Sequence, residues 1–154
     1  MKTKMIGLSF ILCLVAGAFC LAADDPMMGT WKLNEAKSKI APGTPKNNTV
    51  VYAAAGDQIK VTVDGTDADG KSAHSEWTGK FDGKDYPVTG DATADMRSYK
   101  KEGKDVELTN KKDGKVTVTG KVIVSADGKT RTVTLSWTDA KGAKMTSTAI
   151  YDKS

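Results

Sequence analysis

The chain carries two cysteines, one histidine and two arginines in 154 residues. Both cysteines, Cys13 and Cys20, fall in the first two dozen residues. The rest of the chain therefore has no thiol for a disulfide or for a cysteine-ligated metal. His74 on its own cannot make a histidine cluster, which removes the usual zinc ligand sets. It also has no nucleophile at motif spacing, and neither a Gly-x-Ser-x-Gly elbow nor a phosphate-cradling glycine loop is present. No catalytic residues, no metal and no cofactor are expected, and the protein reads as a non-enzyme. Arg97 and Arg131 are the only arginines, and no aromatic residues interleave with a basic stripe. Nucleic acid is not an expected partner.

The start of the chain is of a different kind from the rest. Lys2 and Lys4 precede an uncharged apolar run over residues 5–23 that ends in small residues before Asp24 and Asp25. This is the layout of a secretory signal peptide, with cleavage expected after Ala22 or Ala23. The segment Gly17-Ala18-Phe19 before Cys20 does not suit a lipoprotein signal, so no stable membrane anchor is expected after cleavage. The expected division is a signal peptide over residues 1–22 and one β-barrel domain over residues 23–154. The expected location is exported, in the periplasm or outside the cell. Loss of Lys2 and Lys4 leaves 21 basic against 19 acidic residues, a nearly neutral domain. The Lys100-Lys101 and Lys111-Lys112 pairs read as solvated edge guards beside turns.

From Thr49 onward apolar and polar residues alternate almost without a break, the signature of strands with one buried face. Strands are expected over residues 49–53, 58–64, 71–82, 96–101, 105–111, 116–125, 130–137 and 143–151. A very short one is expected within residues 82–90, where Gly83, Pro87 and Gly90 interrupt the pattern. Residues 35–48 read as a connection with at most one helical turn, because Pro42, Gly43 and Pro45 stop anything longer. Asp-Gly-Lys recurs at residues 69–71, 82–84, 113–115 and 127–129, each a hairpin signal. Strands joined by the shortest connections form an antiparallel meander. With almost no helix to cover a sheet, the meander hides its edges most simply by closing into an up-and-down barrel of 8–10 strands. A two-sheet sandwich buries the same residues.

Asp67, Asp69, Gly70 and Glu76 occupy calcium-loop positions counted from residue 65, but the first position is Gly65 and the flanks read as strands. A hairpin turn accounts for them better. His74 faces away from Trp77 by alternation and reads as a surface residue. Val61, Val63, Trp77, Phe81, Leu108, Val118, Val122, Leu135, Trp137 and Tyr151 read as inward, among the small residues Ala73, Ser75, Gly79, Gly120 and Ala149. Small inward residues leave room for a cavity, although a narrow barrel can also be filled by its own side chains.

The stretch Gly29-Thr30-Trp31-Lys32-Leu33 resembles the Gly-x-Trp first strand of lipocalins and the similar opening of fatty-acid-binding proteins. Both are calycin-type up-and-down barrels that carry small apolar molecules. The resemblance implies a lipocalin-like barrel in which Trp31 plugs one end. Gly29 to Asn34, with Ala36-Lys37-Ser38-Lys39 just after it, and Asp82-Gly83-Lys84-Asp85-Tyr86-Pro87-Val88-Thr89-Gly90 are also similar to a set of small exported bacterial proteins of uncharacterised function. Three features depart from the carrier pattern. Residues 35–48 are too short for a lid of two helices, the lipocalin cysteine pair is missing, and Ala149 stands where the fatty-acid pattern has an arginine two residues before Tyr151. The expectation is an exported barrel that binds a small, largely apolar ligand inside, with Trp77, Phe81, Leu135 and Trp137 lining the site. Arg97 and Arg131 are the cations available to an acidic head group, and neither is assigned an inward position. The alternative is a packed barrel acting through its surface, at the loops over residues 42–48 and 86–95, as an envelope-associated or inhibitor-like module.

Overall fold

Alternation with a period of two residues gives each strand an inner and an outer face, and the chain turns that pattern into a closed wall. The computed structural model describes residues 25–154. The expected leader and both cysteines lie outside the described residues. The strands are β1 (Gly29–Leu33), β2 (Lys46–Ala55), β3 (Gln58–Thr66), β4 (Ser72–Gly79), β5 (Tyr86–Thr89), β6 (Met96–Glu102), β7 (Asp105–Lys112), β8 (Lys115–Val124), β9 (Thr130–Thr138) and β10 (Lys144–Lys153). Each pairs antiparallel with its neighbours in sequence, and β1 also pairs with β10, so the sheet closes into a ten-stranded barrel. Closure removes both exposed edges, as expected of a meander with no covering helices. Residues 35–37 form a single 3-10 turn, begun by Asn34, whose side chain accepts from the Lys37 amide.

The turns are set by their residues. Between the paired ends Lys112 and Lys115 stand only Asp113 and Gly114, with φ angles of 50° and 74°. Two successive left-handed residues make the hairpin turn whose twist matches its strands. At the β3–β4 turn, Asp67 Oδ1 accepts from the amides of Asp69 and Lys71 at 2.9 and 2.8 Å. This carboxylate thus orders a turn, as the strand flanks implied.

Strand order fixes two ends. One carries the β2–β3, β4–β5, β6–β7 and β8–β9 turns together with residues 25–28, and the other carries the β1–β2, β3–β4, β5–β6, β7–β8 and β9–β10 connections. The first end is packed with aromatic rings. Trp77 lies 4.7 Å from Tyr99 and 5.7 Å from Tyr86, both edge to face, and Phe81 lies 5.3 Å from Tyr99. The Trp77 indole donates to the Arg97 carbonyl at 2.9 Å. Trp31 is fully buried there, and its indole donates to the Met27 carbonyl at 2.8 Å. Burying these large faces with their N–H groups satisfied is a strong source of stability.

Candidate interior binding site

Above the aromatic layer the barrel is not filled. A cavity of about 520 Å³ runs from the connections at the second end down to Arg131 and Tyr151. Its apolar wall includes Val50, Val63, Leu108, Val133, Leu135 and Trp137. Ala73, Ser75 and Ala149 also face it, and their small side chains leave space that larger ones would take. The other small inward residues behave differently. A Cβ on Gly79 would stand 2.6 Å from both the Trp77 and Tyr86 rings, and one on Gly120 would stand 2.5 Å from Leu135. At those two positions glycine admits a neighbouring side chain and creates no void.

The four residues expected to line the site therefore separate. Leu135 and Trp137, on the inner face of β9, lie on the cavity wall. Trp77 and Phe81 do not: they stack with ring centres 6.2 Å apart in the aromatic layer below it. Their inward direction agrees with the alternation, but their depth along the barrel places them in the packed end. Trp31 lies at that same end and is not on the cavity wall.

The wall also holds polar groups that were not assigned inside. Arg97 on β6 is 7% exposed. Its Nε donates to Asn110 Oδ1 at 2.7 Å and its Nη2 to Asp91 Oδ2 at 2.7 Å. The other Asp91 oxygen accepts from the amide and hydroxyl of Thr93. This network fastens the β5–β6 loop across the cavity mouth. On the opposite side, the Ala41 amide donates to Ser147 Oγ at 2.9 Å, which ties the β1–β2 connection to β10. Arg131, near the start of β9, sits at the inner end of the cavity, beside Tyr52, Tyr99 and Tyr151. Burial pushes the Tyr151 hydroxyl up to about 12 and raises that of Tyr99 as well, so both remain neutral hydrogen-bonding groups at ordinary pH.

The signal for both arginines was present in the alternation. Arg131 shares parity with Val133, Leu135 and Trp137, and Arg97 shares parity with Tyr99. His74, by contrast, is on the outer wall, with Nδ1 2.7 Å from Asp64 Oδ1. That hydrogen bond is the main reason its pKa is raised above 6.5. Among the described residues, no group of three or more histidine, cysteine or acidic side chains stands ready to hold a metal. The chain matches no protein family model and no curated protein.

Proposed function

We propose that the protein is an exported, non-enzymatic carrier that binds a small, largely apolar molecule inside its barrel. The observation that supports this most is the cavity of about 520 Å³, within the range of small-molecule sites and walled by aliphatic and aromatic side chains interspersed with polar ones. Binding would draw on burial of ligand surface, about 25 cal/mol per Å² before the costs of association. The closed antiparallel barrel that opens with Gly29-Thr30-Trp31 is consistent with the lipocalin-like resemblance.

The test is native mass spectrometry of the protein purified from its own cells. The expected result is a bound small molecule that is lost on denaturation. Trp137 on the cavity wall should also report ligand entry by a change in fluorescence, which Trp137→Phe should reduce. Protein that is always empty, and whose fluorescence does not respond to a panel of apolar acids, alcohols and aromatics, would contradict the carrier reading and favour the surface-acting module.

A further inference from the structure

Asn110 on β7 is 6% exposed and Arg97 on β6 is 7% exposed, and the two are register partners on the cavity wall. Arg97 Nε donates to Asn110 Oδ1 at 2.7 Å, and Nη2 donates to Asp91 Oδ2 at 2.7 Å. A guanidinium can only donate. The carboxamide oxygen of Asn110 must therefore face Arg97, and its amide nitrogen, which carries two N–H groups, must point elsewhere. Among the described residues, neither Asn110 Nδ2 nor Arg97 Nη1 has an acceptor. The described side-chain atoms shut away from water without a partner are Asp95 Oδ1, Arg131 Nε and Arg131 Nη1. Asn110 Nδ2 and Arg97 Nη1 are not sealed in that way. On inward side chains of the wall, the surface they keep is surface toward the cavity.

These donors decide which occupant the cavity favours. A molecule without an acceptor would strip them of water and leave them unpaired, which costs the full desolvation of each group. One that carries an acceptor replaces the water it displaces. Asp91 already neutralises Arg97, so the donors call for no counter-charge. A carboxylate here would lie near that of Asp91, and an ammonium group would only add donors. A neutral carbonyl oxygen has two lone pairs and no proton of its own, so it can take an N–H from each side chain. Register sets the orientation. Arg97, Asn110, Val118 and Trp137 are successive partners across β6, β7, β8 and β9. Further in on the same strands stand Leu108 and Leu135, and beyond them Val122 and Val133. On this side of the wall the polar groups lie toward the mouth and the aliphatic ones deeper.

We propose that Asn110 and Arg97 form the head-group site for a neutral amphiphile, donating to its carbonyl oxygen near the mouth while its apolar chain runs inward. This rests on the carrier reading and specifies the class and orientation of its ligand.

The experiment titrates octan-2-one, oct-1-ene and octanoate, matched in chain length, into the exported protein at pH 8 and follows tryptophan fluorescence. Asn110→Asp keeps an acceptor for Arg97 Nε and removes the amide donors. It should weaken octan-2-one about tenfold, the worth of a buried hydrogen bond, and leave oct-1-ene within about twofold. Octanoate should bind no more tightly than the ketone. Carbon-13 NMR of carbonyl-labelled octan-2-one on the unaltered protein gives a reading that does not depend on the variant. A carbonyl that accepts from these N–H groups should resonate at or downfield of its position in water, whereas one surrounded by hydrocarbon moves upfield. Tighter binding of octanoate, an upfield carbonyl, or equal losses of ketone and alkene in Asn110→Asp would overturn the head-group site and leave the carrier intact. Failure of all three probes to bind would overturn the carrier reading itself.

Discussion

The two ends of this barrel are built from the same alternating strands, yet one is solid and the other hollow. At the solid end Trp31, Trp77, Phe81, Tyr86 and Tyr99 fill the interior, and Gly79 lies close enough to Trp77 and Tyr86 for their rings to occupy the place of a side chain. Toward the other end the inward residues include the small side chains of Ala73, Ser75 and Ala149 and medium aliphatic ones, and a cavity remains. Stability and binding are thereby separated along the barrel axis. Large rings close a narrow barrel without a covering helix, and the small residues beyond them leave a chamber whose walls are held by the sheet.

The sharpest way to break this division is at its base. Trp31→Ala should cost about 3–5 kcal/mol, the loss for emptying a fully buried indole site, read by urea denaturation. A change near zero would mean that the end is not closed as described. A matched pair of enlargements sharpens the contrast. Gly79→Val should cost about 1–3 kcal/mol, because its side chain has no room between Trp77 and Tyr86. Ala149→Leu, which adds bulk inside the cavity, should change stability by less than about 1 kcal/mol while weakening ligand binding. Equal costs at the two positions would contradict the difference in packing.

Titration separates the regions more gently. The Tyr151 hydroxyl is pushed up to about 12 by burial, so above pH 10 the unfolded chain loses a proton that the folded protein keeps. Its contribution to stability is fully present below pH 10 and is lost as pH rises from there toward 12. Alkaline unfolding followed by tyrosine absorbance should show exposed and buried hydroxyls ionising in separate steps, with Tyr151→Phe removing part of the later one. The smallest effect belongs to the outer wall. His74 should titrate above 6.5 by NMR, and Asp64→Asn should return it toward that value, since the Asp64 hydrogen bond is the main cause of the shift. Its contribution is complete below 6.5 and fades as pH rises through the raised value. Neither change at His74 should alter binding inside the barrel.

Strand faces were legible in the sequence because a period of two residues states them directly, and the inward positions of Leu135 and Trp137 came from it. Depth along the barrel was not legible. Trp77 and Phe81 have the same inward parity as cavity residues, but only the closed register shows that they stand in the aromatic layer. Strand limits moved for local reasons. β2 begins at Lys46, where it pairs with Thr66 beside a bulge between Asn47 and Thr49. β4 stops at Gly79, short of the expected continuation to residue 82. The arginines were obscured by their charge. Arg97 is admitted by Asp91, six residues away on a loop, and Arg131 by rings contributed by β1, β2 and β10. Both arrangements exist only after closure.

A crystal of the protein pressurised with xenon, which enters empty apolar cavities, tests the division between the two ends directly. Xenon is expected beside Leu108, Val133 and Leu135, and absent from the layer of Trp31, Trp77 and Phe81. Xenon within that layer, or none anywhere in the barrel, would contradict a barrel that is solid at one end and hollow at the other.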